Sequence, residues 1–258
     1  MIRVAAVGDI HMAPDSAGVL RPAFETLGEC ADLLLLAGDL TRHGTLDEAA
    51  VVAREVAGLD VPVVAVLGNH DYHSDLQTEI AHLLGEAGVT VLEGDGTVLD
   101  IGGVRVGIAG TKGFGGGFAG REGGDFGEPE MKDFIRLTKR CSAELRRSLE
   151  DLEARGCTVR IALTHYAPVA DTLAGEPLEI FPFLGSYLLA EAMDAAGADL
   201  AVHGHAHHGA EHGMTSGGVR VRNVAQPVIG RAFAVYHLAV HDDDAQARAA
   251  STGAGALH

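Results

Sequence analysis

Residues 61–71 read Val-Pro-Val-Val-Ala-Val-Leu-Gly-Asn-His-Asp. Seven nearly unbroken apolar residues, rich in valine, have the look of a short strand buried on both faces. Asn69, His70 and Asp71 follow at once, and such side chains ligate metals or move protons. Four other stretches share the design. Ile2–Val7 runs into Gly8-Asp9-Ile10-His11, and Leu33–Ala37 into Gly38-Asp39. Ile161–Thr164 runs into His165, and Leu200–His203 into Gly204-His205-Ala206-His207. In open α/β sheets, ligands bind beyond the carboxyl ends of the strands. Five segments would therefore deliver Asp, Asn and His side chains to one rim.

Between these strands the periodicity changes. A helix is expected from Thr45 to Gly58 and another from Ser74 to about Glu86, each opening with capping-box spacing. A third, about Met131 to Arg155, places Phe134, Leu137, Cys141, Leu145, Leu149 and Leu152 on one stripe, and a fourth spans about Ser186 to Ala196. Strand–helix alternation implies βαβ units and a parallel or mixed sheet. Val104–Ala109 is a further strand. Val89–Leu92, Thr97–Ile101, Val219–Val224 and Ala232–Val240 read as strands joined by glycine-rich turns, so some pairing is antiparallel. Residues 112–130 are a glycine-rich insertion without periodicity, long enough to act as a lid. The string Gly115 to Gly120 matches GxGxxG formally, but no helix opens after it, which excludes a dinucleotide fingerprint. No composition shift marks a linker. One domain is expected over residues 1–241, followed by a disordered acidic and Ala-rich tail, 242–258.

Composition narrows the function. Hydrophobic residues make up 47% of the 258, enough to offset the entropy of ordering the chain. Acidic residues exceed basic ones by 36 to 19, and the net charge of -17 opposes nucleic acid and anionic lipid as partners. Cys30, Cys141 and Cys157 have no CxxC spacing, which excludes a thiolate zinc site and fits a reducing compartment. The chain starts directly on a strand, with no hydrophobic leader and no apolar run of the roughly 18 residues a membrane helix needs. A cytoplasmic protein without a membrane partner is expected.

Carboxylate, amide and imidazole donors without thiolate suit Mn, Fe, Zn, Co or Ni. Seven of them exceed what one ion accepts and fit two ions sharing a carboxylate, an arrangement that clamps a phosphoryl centre. GD-x-H, GD, GNHD, a lone His and GH-x-H, in this order from Asp9 to His207, resemble the calcineurin-like metallophosphoesterase family. The fragments GDLTRHG, THYAP and GHAHHG are similar to its bacterial phosphodiesterase-like branch. The resemblance implies a four-layer α/β/β/α sandwich of two mixed sheets. It further implies that Asp9, His11 and His207 bind one metal and Asn69, His165 and His205 the other, with Asp39 bridging. Two divalent or mixed-valence ions (Mn, Fe or Zn) would be the cofactors, with a metal-bound hydroxide as nucleophile. His70 would be the catalytic proton donor to the leaving group.

One departure is informative. Where protein-phosphatase members continue with an Asp that supports the catalytic His and an Arg that grips phosphate, this chain has Arg42 and His43. That disfavours a protein phosphatase and leaves open whether Asp71 supports His70. His203 reads as structural, and His208 and His212 as loop residues. Tyr166 could reach a phosphate. Lys112 and Arg121 read as ordinary solvated charges, as do the basic residues among acids on the 131–155 helix. The expected activity is hydrolysis of a small phosphodiester. The alternatives are a nuclease, a phosphomonoesterase on phosphorylated metabolites, and a non-catalytic scaffold of the same fold.

Overall fold

Consecutive side chains of β1 (Ile2–Val7) leave on opposite faces, and both faces are covered. Ile2, Val4 and Ala6 enter one apolar cluster, whereas Ala5 and Val7 enter another. In β2 (Leu33–Ala37), Leu33 and Leu35 face one way and Leu34 and Leu36 the other. Double burial is why these strands read as unbroken apolar runs rather than as alternation. Each fully buried leucine stabilises the fold by roughly 1.5–3 kcal/mol relative to exposure.

The computed structural model describes residues 1–240, so the tail expected at 242–258 lies outside the described residues. The remaining strands are β3 (Val63–Val66), β4 (Val89–Leu92), β5 (Asp95–Ile101), β6 (Val104–Thr111), β7 (Gly117–Phe118), β8 (Arg121–Glu122), β9 (Val159–Thr164), β10 (Leu200–His203), β11 (His212–Met214), β12 (Arg220–Asn223) and β13 (Ala234–Leu238). One sheet has the order β13-β1-β2-β3-β4, parallel except for β13. The other has the order β11-β12-β10-β9-β6-β5, a parallel centre with antiparallel edges.

The two sheets pack face to face through Leu35 and Val66 on one side and Ile108, Ile161 and Val202 on the other. Helices Leu46–Val56 and Gln77–Glu86 cover the outer face of the first sheet through Val52, Ile80 and Leu84. Helices Pro129–Ala154 and Tyr187–Ala196 cover the second through Leu145, Leu149, Leu189 and Met193. The result is the four-layer α/β/β/α sandwich of two mixed sheets that the sequence resemblance implied.

Local details bear out some expectations and correct others. Thr45 caps its helix as read: its hydroxyl accepts from the Glu48 N–H, and the Glu48 carboxylate accepts from the Thr45 N–H. Ser74 caps nothing. Its hydroxyl donates to the His43 carbonyl at 2.7 Å, Asp75 turns left-handed, and the helix begins only at Gln77. The segment 112–130 carries the β7–β8 hairpin, and Gly116 and Gly117 donate to the carbonyls of Pro182 and Gly185. Side-chain periodicity is silent there because backbone amides hold the segment. Among the described residues no helix is long and apolar enough to cross a membrane.

Candidate metal centre

The loops after β1, β2 and β3 in one sheet meet those after β9 and β10 in the other. The glycine that opens four of these motifs has a steric reason at three of them. A Cβ on Gly38 would lie 2.6 Å from the His165 ring, one on Gly68 2.2 Å from Asp39 Oδ1, and one on Gly204 2.2 Å from Asp9 Oδ2. The candidate donors are thus packed directly onto neighbouring backbone. Asp9, His11, Asp39 and His205 have φ of 55°, 42°, 50° and 70°. Such left-handed conformations cost on the order of 1–3 kcal/mol each and persist where surrounding structure imposes them. Only one other non-glycine among the described residues, Asp75, adopts one.

Two donor groups result. Asp9, His11, Asp39 and His207 offer ligand atoms all within 4.8 Å of one another, as do Asp39, His165 and His205. Asp39 belongs to both. Its Oδ1 lies 3.3 Å from His165 Nε2 and accepts the His70 N–H at 2.8 Å, while its Oδ2 lies 3.9 Å from His11 Nε2. Asp9 Oδ1 is 2.9 Å from His207 Nε2, and both Asp9 oxygens accept from the His205 N–H. Asn69 Oδ1 lies 2.9 Å from His165 Nε2, adding an amide oxygen to the second group. All seven residues singled out in the sequence converge.

The electrostatics fit cations. Burial pushes the Asp9 carboxyl up to about 6 against the pull of its His207 hydrogen bond, and the nearby Asp39 pushes the same way. Burial drives His165 and His205 down to about 3, leaving neutral imidazoles with free lone pairs, and lowers His11 as well. His207 is raised by its hydrogen bond to Asp9. Neither Asp9 nor Asp39 forms an ion pair with lysine or arginine among the described residues. Two buried carboxylates with only His207 raised among the imidazoles around them are costly alone and would be relieved by divalent ions. The oxygen and nitrogen donor set, free of thiolate, fits that role.

His70 stands at the edge, its side chain 44% exposed. Its Nδ1 donates to the Arg42 carbonyl at 2.7 Å, which turns Nε2 outward, 3.9 Å from Asp39 Oδ2. Asp71 does not support it. That carboxylate is fully buried and accepts from the N–H groups of Leu40, Thr41 and Gly68 and from the Thr41 hydroxyl, tying two loops together. Burial pushes it up to about 6. The Arg42 guanidinium forks onto Asp15 at 2.9 and 3.0 Å, and His43 is paired with Glu48. His203 is buried and doubly hydrogen-bonded, to Gly204 and Thr172, as a structural residue. His208 pairs with Glu176, and the exposed His212 opens β11.

Lys112 corrects the sequence reading. It is half-buried rather than solvated, with Nζ 4.4 Å from the centroid of the Tyr72 ring, 5.0 Å from Phe114 and 5.8 Å from Tyr166. A signal existed: Lys112 directly follows β6, a sixth strand end on the same rim. Tyr166 is buried, its ring centroid 4.3 Å from that of His205.

Residues 2–209 match the family model for the calcineurin-like phosphoesterases. No curated protein sequence matches this chain. Among solved structures, it is similar to the phosphopantetheinyl hydrolase from Mycobacterium tuberculosis, with 16% identity, a TM-score of 0.57, and coverage of 86% of this chain and 88% of that one. It is similar to a 5'-nucleotidase precursor from Thermus thermophilus (18% identity, TM-score 0.52), covering 86% of this chain but 48% of that one, about half its length. A third likeness is GAP50, the anchor in the inner membrane complex of Plasmodium, at 11% identity, a TM-score of 0.54, and coverage of 88% and 72%. At these identities the likeness is one of fold.

Proposed function

The chain belongs to the calcineurin-like phosphoesterase family, and from that premise we propose that it is a dinuclear-metal enzyme hydrolysing small phosphodiesters, of the bacterial phosphodiesterase-like branch. The observation that carries this reading is Asp39, one carboxylate within reach of both donor groups. Asp9, His11 and His207 would hold one ion and Asn69, His165 and His205 the other, with Asp39 between them. The donor set suits Mn, Fe or Zn. Bound there, two such ions supply Lewis-acid polarisation of the phosphoryl oxygens and lower the pKa of a bound water.

The chain supplies the rest. Neutral His165 and His205 offer lone pairs without first losing a proton. The Arg42 carbonyl fixes the His70 tautomer, so Nε2 can carry a proton to the departing alkoxide. Among the described residues no guanidinium pairs with the donor carboxylates, and Arg42 is engaged by Asp15. A monoester dianion gains more than a diester monoanion from such a fork, which favours the diester.

Two fold neighbours are hydrolytic enzymes by name, a phosphopantetheinyl hydrolase and a 5'-nucleotidase. A monoesterase on phosphorylated metabolites is therefore the second reading. The net charge of -17 weighs against a nuclease. One neighbour is named an anchor, but a scaffold has no need of seven converging donors and an oriented His70. The three cysteines are free thiols, in keeping with a reducing, cytoplasmic setting, and residues 1–241 serve as one catalytic domain. Elemental analysis after Mn loading, paired with hydrolysis of bis(nitrophenyl) phosphate, is the test. About two ions per chain are expected, as the two-metal arrangement requires. No bound metal, with activity that survives chelator, overturns the reading.

A further inference from the structure

The carboxyl end of β6 lies beside that of β9, in register at Thr111 and Thr164, so the next residue, Lys112, flanks the donors. Its carbonyl accepts from the N–H groups of His165 and Tyr166, each at 3.0 Å. Its ammonium is held among the rings of Tyr72, Phe114 and Tyr166. Cation–π attraction fixes the head group but satisfies none of its three N–H donors as an oxygen would. Among the described residues, Lys112 Nζ has no hydrogen bond and no ion pair. A half-buried ammonium so placed wants an acceptor.

The space it faces is a cavity of about 470 Å³ lined by Tyr72, Glu93, Lys112, Arg140, Cys141 and Glu144. That is within the range of small-ligand sites. Arg140, exposed on the Pro129–Ala154 helix, also lacks an ion pair among the described residues; Glu93 is within electrostatic reach of Lys112 but makes no hydrogen bond or close ion pair with it. The cavity adjoins the reacting position. Tyr72 follows His70 by two residues, and His70 would serve the alcohol that leaves. The Tyr166 ring is packed on His205 at 4.3 Å, and the Lys112 ammonium is 5.8 Å from the centre of that ring. The ammonium thus stands beside the candidate ligands, within electrostatic reach of Asp39 and His165, and lines the cavity in which the alcohol would lie.

Resting on the phosphoesterase reading above, we propose that this cavity receives the alcohol part of the substrate. Lys112, with Arg140, selects alcohols that carry a second anionic group, a carboxylate or a phosphate. Glycerophosphoserine and glycerophosphoethanolamine form the test pair, since they differ by one carboxylate. Wild-type, Mn-loaded enzyme should prefer the former in kcat/KM by about tenfold, the worth of one charge-assisted hydrogen bond. Lys112→Gln should bring the ratio to about one, chiefly through KM, and Lys112→Arg should restore part of it. Each variant should keep the wild-type metal content. A wild-type ratio near one overturns the proposal without any variant, and so does a ratio that Lys112→Gln leaves unmoved. Where bis(nitrophenyl) phosphate is hydrolysed, those outcomes strike this proposal alone. A wild type inactive on all three diesters overturns the phosphoesterase reading and this proposal with it.

Discussion

The ring Nδ1–H of His70 donates to the main-chain carbonyl of Arg42 across 2.7 Å. A backbone carbonyl thus does the orienting that a carboxylate does in the protein-phosphatase pattern. It fixes the tautomer without lending the imidazole a full negative charge, and no side-chain substitution removes it.

His70→Ala should retain bound metal and lose on the order of 10²–10⁴-fold in rate, the usual worth of a positioned general acid. The loss should shrink when the leaving group is nitrophenolate, which needs little protonation. Equal losses on good and poor leaving groups would remove the proton-donor role.

Arg42→Ala should leave His70 in place, because the contact is to backbone. The Arg42 side chain pairs with Asp15 at the surface, where such pairs contribute about 0–1 kcal/mol. Diester turnover should stay near wild type, and bis(nitrophenyl) phosphate should remain a better substrate than a phosphoserine peptide. A large loss confined to the peptide would show that the guanidinium leaves Asp15 to grip the dianion.

Asp39→Ala removes the carboxylate shared by both donor groups, so neither keeps its full set. Metal content after Mn loading should fall well below two ions per chain, the number the two-metal arrangement requires. Activity should fall with it. Wild-type stoichiometry in this variant would show that Asp39 does not bridge.

His203, buried just before the Gly204-His205 turn, supplies a pH prediction. Its Nδ1 donates to the Gly204 carbonyl, its Nε2 lies 2.8 Å from the Thr172 hydroxyl oxygen, and burial lowers it to about 4. The native state keeps this imidazole neutral while the unfolded chain protonates it near 6.5. Its contribution to stability is therefore complete above 6.5 and is lost as pH falls towards 4. The wild-type advantage over His203→Asn should narrow by on the order of 2 kcal/mol between pH 7 and about 4.5. Urea unfolding of the metal-free proteins measures it; a gap that does not change with pH would refute the assignment.

How much of this was legible beforehand depends on where the information lies. β4, with Thr90 exposed, matches the residues read as a strand end for end, and so do β1, β2 and β10, because burial on both faces leaves an unbroken apolar run. The seven donors were legible because each follows such a run directly. That the sheet is split in two came from the family resemblance, since periodicity is blind to how strands are shared out. The partner of His70 was illegible, because a main-chain carbonyl has no residue type. Ser74 misled for a related reason: its hydroxyl serves His43, 31 positions back. The burial of Lys112 is not legible in the sequence, because two of the rings around it, Tyr72 and Tyr166, come from distant parts of the chain.

Asp9, His11, Asp39 and Asn69 hang from one sheet, whereas His165, His205 and His207 hang from the other. Split between β4 and β5, the chain would give one fragment holding all the oxygen donors and another holding imidazoles only. Neither fragment inherits a usable cage, and β13, pairing with β1, would have to travel back across the cut. An ion seated between them would work as a rivet through two plates. Chelation should therefore loosen the sandwich, and any change that pries the plates apart should leak metal. Grip on the ion and cohesion of the halves become the same quantity, weighed from two sides.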